Sequence, residues 1–236
     1  MALPEFRSSD HSPDGLAAAR QRMLDLLRRH IGDARVIDAM AAVPRERFVP
    51  PHLRHRAYDD RALPIGEGQT ISQPLMVALM IDALQVSSGD KALEVGAGSG
   101  YAAAILSRLA REVIAVERIP ELRERARDVL AALRYENVSV HSAGSHLGRK
   151  DDAPYDVVLV SAGAPHIPRT LLRQLSEGGR LVAPVGTLRH QELVRATKTP
   201  HGVGLERMGP CAFVPLIGED AWDAGDDIVS GRSIVP

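Results

Sequence analysis

The stretch Glu94-Val95-Gly96-Ala97-Gly98-Ser99-Gly100 stands where a short apolar run, Ala92 to Gly96, meets a helical pattern that begins at Tyr101. Glycines at a strand-to-helix turn permit a tight bend and close backbone approach, and a helix start offers N–H groups to a ligand. Glu117 closes the next apolar run nineteen residues after Gly98, where a carboxylate in a nucleotide-binding fold accepts from ribose hydroxyls. The pair points to a ligand containing adenosine; the other reading is a glycine turn that serves packing alone. The glycines run G-x-G-x-G instead of the dinucleotide G-x-G-x-x-G, and Glu94 lies two residues before the first of them. A carboxylate there would repel a pyrophosphate and attract the ammonium of an aminoacyl tail, which favours S-adenosylmethionine over NAD.

A second stretch, Ala62-Leu63-Pro64-Ile65-Gly66-Glu67-Gly68-Gln69-Thr70-Ile71-Ser72-Gln73-Pro74, combines glycines, hydroxyls and amides ahead of a helix start. Such a surface can hold a carboxylate or a peptide. From spacing alone Ser72 is either the N-cap of the helix that follows or a group that acts on a ligand. His52 with His55 and His141 with His146 invite a metal reading, but no carboxylate stands at a ligand-like spacing, so no metal site is expected. The segment Ser161-Ala162-Gly163-Ala164-Pro165 lacks the acid and ring that base-directed methyltransferases carry after their fourth strand.

The elements that must position these groups follow from periodicity. Ser12-Pro13 reads as a cap and first turn, after which Leu16, Ala19, Met23 and Leu27 mark an amphipathic helix with Arg20, Arg22, Arg28 and Arg29 on a solvated face. Asp33 caps a second, short helix. Pro44 to Gln73, with four prolines and two glycines, is too long for a connection without a task. Pro74 to Gln85 is apolar nearly all round and predicts a buried helix. Strands at 92–96, 112–117, 138–141, 155–161 and 180–185 then alternate with helices at 101–111, 120–133 and 170–176, the pattern of a parallel sheet covered on both faces. The runs 192–197 and 211–217 predict an antiparallel hairpin at the end of the sheet.

Composition limits the partners. With 236 residues, 44 % hydrophobic and 25 % charged, the chain can bury a sizeable aliphatic core without metals or disulfides. Its eight aromatics and net charge of -1 argue against a nucleic-acid platform. A single cysteine, Cys211, an acid-bearing start and the absence of a long apolar stretch predict a soluble, cytoplasmic protein.

Over about residues 16 to 218 the chain resembles the protein-L-isoaspartate O-methyltransferases. The likeness rests on Val43-Pro44-Arg45-Glu46-Arg47-Phe48-Val49, Tyr58-Asp59-Asp60, Ala62 to Gly66, Gly68-Gln69-Thr70-Ile71-Ser72-Gln73-Pro74, the Glu94 to Gly100 loop, Val116-Glu117-Arg118, Ala162 to Pro168, Gly178 to Leu181 with Pro184-Val185-Gly186, and Val214-Pro215-Leu216. The resemblance implies an α/β fold: a three-layer Rossmann-like methyltransferase sheet, mostly parallel, with an antiparallel C-terminal hairpin and added N-terminal helices. It implies N-terminal helices and a substrate segment over 1–74, an S-adenosylmethionine-binding core over 75–218 and a loose tail over 219–236, all in one compact domain.

It further implies that Ser72 is the active-site residue and that Gln69, Thr70, Ile71 and Val214 line the isoaspartyl site. Glu94, Gly96, Ala97, Gly98, Ser99, Glu117, Arg118, Ala143 and Gly144 would hold S-adenosylmethionine and the product S-adenosylhomocysteine. The implied activity is methylation of isoaspartyl α-carboxylates in damaged proteins and peptides, which begins repair through a succinimide. A monomer is expected, with polypeptide substrates and neither nucleic acid nor membrane as partner. A carboxyl methyltransferase dedicated to one peptide or small acid, and a cofactor-binding protein with little turnover, are the competing readings. Two departures stand out: Ser142-Ala143-Gly144 replaces the family's Gly-Asp-Gly, and Gly163 and His166 replace an alanine and an acid.

Overall fold

The computed structural model describes residues 13–144 and 146–223. Helix α1 (Pro13–Leu27) and helix α2 (Ala34–Ala42) open the described chain. Ser12, the expected cap of α1, lies outside the described residues. Asp33 caps α2 as its spacing suggests, its carboxylate accepting from the Arg35 N–H at 2.9 Å, and its own N–H donates to Asp82. The proline-rich stretch is structured throughout: 3-10 turns at Arg45–Arg47 and Pro51–Arg56 lead into a hairpin of β1 (Leu63–Gly66) and β2 (Gln69–Ile71). Its tip, Gly66-Glu67-Gly68, holds three successive positive φ angles of 93°, 53° and 67°, which two glycines make accessible. Helix α3 (Pro74–Leu84) follows and is buried on most of its circumference.

The remaining elements are β3 (Lys91–Val95), α4 (Tyr101–Leu106), β4 (Glu112–Glu117), α5 (Pro120–Ala132), β5 (Val138–Ser142), β6 (Tyr155–Val160), α6 (Arg169–Gln174), β7 (Leu175–Gly186), β8 (Gln191–Thr199) and β9 (Gly202–Cys211). Strands β3 to β9 form one sheet in the order β5-β4-β3-β6-β7-β8-β9. Neighbours from β5 to β7 are parallel; β8 is antiparallel to β7, and β9 to β8. The chain turns one way from β3 to β4 and the other way to β6, so a crevice opens beyond the carboxyl ends of β3 and β6, where open α/β sheets take ligands.

Strand alternation splits the core in two. Ala92, Val113, Ala115, Val157 and Leu159 pack with α1 to α5, whereas Leu93, Val95, Ile114, Val116, Val158 and Val160 face α6. Among the described residues the layers are unequal: α3, α4 and α5 lie against one face with α1 and α2 packed on α3 and α4, and short α6 with loop segments lies on the other.

Three boundaries differ from expectation by more than two residues. Helix α4 ends at Leu106, five residues early, and β7 begins at Leu175 because the chain extends directly out of α6. The closing strand is Gly202–Cys211, not 211–217, because β9 is an exposed edge whose residues carry little apolar pattern. The apolar run at 213–217 instead folds back over the carboxyl ends of the strands, where Pro215 pairs with Gly163. Residues 219–222, assigned to the tail by sequence, pack there too: the Trp222 indole N–H donates to the Gly163 carbonyl at 3.1 Å. Among the described residues no helix is long and apolar enough to cross a membrane.

Candidate active site

The central strand β3 ends on Glu94 and Val95, and the chain then turns through Gly96, Gly98 and Gly100 at φ 85°, 53° and 84°. Side chains other than glycine rarely adopt these angles. A Cβ at Gly96 would also project to 3.8–3.9 Å from Ser161 and Ala162, across the mouth of the crevice. The loop is braced from β4: the N–H groups of Gly96 and Ala97 both donate to Val116 O, and that of Gly98 donates to the Glu117 carboxylate at 2.8 Å. The other Glu117 oxygen accepts from Ile119 N–H at 2.8 Å. These N–H groups thus serve the fold, while Glu117, only 6 % exposed, keeps carboxylate lone pairs for a further donor.

Glu94 lies between β4 and β6 in the sheet, paired in register with Ala115 and Leu159, and is 1 % exposed. One of its oxygens accepts from Ser161 Oγ at 3.1 Å; the other, Oε2, is buried without a well-formed hydrogen bond, although the Ala103 N–H of the first turn of α4 bears on the carboxylate. Burial pushes its carboxyl up to about 8, opposed by the Ser161 hydroxyl and the Ala103 N–H and assisted by the nearby Glu117 charge. An orphaned buried acceptor beside a glycine loop fits a ligand that brings its own cation, such as the ammonium of an aminoacyl sulfonium.

On the far side of Ser161 lies a cleft of about 360 Å³, lined by Thr70, Ser72, Met76, Ser161, Cys211, Phe213 and Val214 among others. Ser72 is not the cap of α3. That position is Gln73, and the first-turn N–H of Leu75 is satisfied by Asp60 at 2.9 Å, which leaves the Ser72 side chain turned to the cleft. Strand alternation through β2 sends Thr70 the same way and buries Ile71 in the core, so Ile71 does not line the cleft. Gln69 does not either; its amide donates to Glu67 O within the hairpin.

Ala97 is buried and Ser99 half-buried in the loop, whereas Arg118 and Gly144 are exposed beyond the ends of β4 and β5. Ala143 continues β5, its N–H donating to Glu117 O at 3.0 Å. The hairpin closes over the loop, with Ile65 Cδ1 3.4 Å from where a Gly98 Cβ would stand. A larger groove of about 450 Å³ between α5 and β5 lies away from all these groups; its Arg127 is already tied to Val140 O. Among the described residues no three His, Cys, Asp or Glu side chains are placed to hold a metal ion.

Sequence reasoning missed Ser161, Phe213, Cys211 and Gln191. Gln191 is buried and clasps Phe213 at both ends, accepting from its N–H at 2.8 Å and donating to its carbonyl at 3.1 Å. A Cβ at Gly163 would stand only 2.4 Å from the Gln191 amide. Gly163→Ala is therefore expected to push the amide off Phe213 and loosen the 213–214 wall of the cleft. The expected outcome is a KM for acceptor raised about 5- to 20-fold, the scale of one or two lost hydrogen bonds, with cofactor affinity within twofold. Initial-rate kinetics check it; an unchanged KM would show that Gln191 re-forms its clasp.

A family model described as protein-L-isoaspartate(D-aspartate) O-methyltransferase matches residues 18–221. The chain is 53 % identical over 204 residues to the protein-L-isoaspartate O-methyltransferase of Roseiflexus castenholzii, covering 86 % of this chain and 94 % of that one. It is 47 % identical over 225 residues to the protein of the same name from Pelotomaculum thermopropionicum, covering 94 % and 98 %. Among solved structures it is similar to a protein-L-isoaspartate O-methyltransferase at TM-score 0.75 and 28 % identity, covering 86 % of this chain and 67 % of that one. A Plasmodium falciparum structure, titled as a putative member in complex with S-adenosyl-L-homocysteine, aligns at TM-score 0.71 and 25 % identity over 83 % and 96 % of the two chains.

Proposed function

From the premise that the chain belongs to the protein-L-isoaspartate(D-aspartate) O-methyltransferase family, we infer that it methylates the α-carboxylate of L-isoaspartyl residues in damaged proteins and that the cleft at Ser72 receives that carboxylate. One observation carries the site assignment: Ser161 lines the Ser72 cleft and also bonds Glu94, so the acceptor cleft and the glycine-loop crevice meet at one side chain. An acceptor oxygen at Ser72 would then face a donor seated between Glu94 and Glu117.

The chemistry asks for position more than for proton transfer. An α-carboxyl group titrates at about 3.5, so the acceptor is ionised at neutral pH and needs no base. S-adenosylmethionine, when bound, supplies a sulfonium methyl already activated as an electrophile. Ser72 Oγ donates to one carboxylate oxygen and aims the other. Met76 and Phe213 wall the cleft against water, and the Gln191 clasp fixes where Phe213 stands. Glu117 would take the ribose hydroxyls and Glu94 the ammonium. The methyl ester then leaves and cyclises to succinimide without further help. The partner is a polypeptide, not a nucleic acid, and the working unit a monomer.

Ser72→Ala tests this assignment. It is expected to lower kcat/KM for an isoaspartyl peptide by about 10- to 100-fold, the value of one hydrogen bond to a charged group, while S-adenosylhomocysteine affinity stays within a few-fold. A parallel loss of cofactor affinity would place Ser72 in loop support instead.

A further inference from the structure

Three buried side-chain polar atoms lack a partner among the described residues: Glu94 Oε2, Arg45 Nη1 and the Tyr101 hydroxyl. The first belongs to the cofactor crevice. The other two face each other beneath Ser72, close enough that the Tyr101 hydroxyl supports the Arg45 charge without closing a well-formed hydrogen bond. Arg45, 0 % exposed, sits in the turn Arg45–Arg47; its Nε donates to Ala57 O and its Nη2 to Ser72 O, both at 2.7 Å. Its guanidinium carbon stands 4.7 Å from the centre of the Tyr101 ring, the first residue after the glycine loop, and Phe48 packs on that ring edge-on.

Among the described residues Arg45 makes no ion pair. The acid that acts on it through space, Asp60, is exposed and engaged with Leu75 N–H. A buried cation without a counter-ion is costly, and burial alone pushes its titration downward. Its two bonded carbonyls satisfy donors but carry no full charge. The arrangement makes sense if the missing negative charge arrives with a ligand, and the residue whose carbonyl Arg45 holds is the one turned to the acceptor cleft.

We propose that Arg45 is the positioning residue of the acceptor site: it fixes the Ser72 peptide so that the hydroxyl faces the cleft, and its unneutralised charge selects an anionic acceptor over a neutral one. This rests on the reading of Ser72 as the partner of the isoaspartyl carboxylate. Arg45 acts through Ser72 and through the field, without touching the substrate.

The test compares an isoaspartyl peptide with its α-carboxamide counterpart, which has the same shape and no charge. Binding of each is measured to the full chain saturated with S-adenosylhomocysteine, for the wild type, Arg45→Gln and Arg45→Lys. The wild type is expected to prefer the acid, and Arg45→Gln to lose about tenfold or more of that preference, as removal of a buried charge requires. Cofactor affinity should stay within about threefold, since the hydrogen bonds of Arg45 go to Ala57 O and Ser72 O and not to the glycine loop. A glutamine variant with the wild-type acid-to-amide ratio overturns the charge assignment. Arg45→Lys keeps the charge without the fork, so it should retain the preference while kcat/KM falls; a lysine variant with wild-type kcat/KM overturns the positioning role even where the glutamine variant does not fold. A wild type that methylates isoaspartyl peptide but shows no acid preference contradicts the inference alone. A wild type that methylates no isoaspartyl peptide removes the reading beneath it.

Discussion

Glu117→Ala is expected to weaken S-adenosylhomocysteine binding by about 10- to 150-fold, equivalent to about 1.5–3 kcal/mol for one charge-assisted hydrogen bond. Two losses act together. A ribose held at Glu117 would lose its acceptor, and the Gly98 and Ile119 N–H groups, each 2.8 Å from a Glu117 oxygen, lose theirs. The glycine loop therefore relaxes as the ligand contact goes. Glu117→Gln, which keeps one acceptor oxygen, should fall between alanine and wild type. Calorimetric titration measures all three, and unchanged binding in the alanine variant would move the ribose partner elsewhere.

Glu94 gives the second large effect, visible as protons. Its carboxyl is raised to about 8 in the folded chain, so at pH 7 the free protein holds it mostly protonated. A ligand ammonium at the orphaned Oε2 favours the ionised form, so binding at pH 7 should release nearly one proton. Affinity should then rise as pH approaches 8, and it falls only at higher pH where the ligand's own ammonium loses its charge. Glu94→Gln should abolish the proton release and weaken binding by about 10- to 100-fold at pH 8, the scale of a lost partly buried ion pair. Calorimetry in two buffers of different ionisation enthalpy reads the proton count.

Folding stability follows the opposite trend from binding. Because the folded pKa is raised from 4.5, the native state holds the proton more tightly than the unfolded chain. The resulting stability is full below about pH 4.5 and is lost as pH climbs through 8. Glu94→Gln should flatten that decline in the free protein. Zero proton uptake or release in the wild type would mean that Glu94 does not meet the ammonium.

What sequence could reveal here was local. The glycine loop, Glu117 and the all-apolar helix α3 carry their signals within a few residues, so spacing and periodicity suffice. Ser72 could not be separated from a cap by spacing, because the group that satisfies the α3 first turn is Asp60, fifteen residues earlier in the chain. Ser161 bonds Glu94 across 67 residues and Arg45 reaches Ser72 across 27; neither separation leaves a pattern. The family resemblance implies a place in the site for Ile71, and the two-residue alternation of β2 turns it into the core. The closing strand was misplaced because an exposed edge has no buried face to impose alternation, whereas the apolar run after it is buried without being a strand.

The central claim is methyl transfer to an isoaspartyl carboxylate at the Ser72 cleft. It is tested most directly by incubating the full chain with methyl-labelled S-adenosylmethionine and two peptides that differ only in carrying isoaspartate or aspartate at one position. The expected result is base-labile label on the isoaspartyl peptide alone, lost as methanol while that peptide converts in part to aspartate. Equal labelling of both peptides, or of neither while S-adenosylhomocysteine still binds, would contradict it.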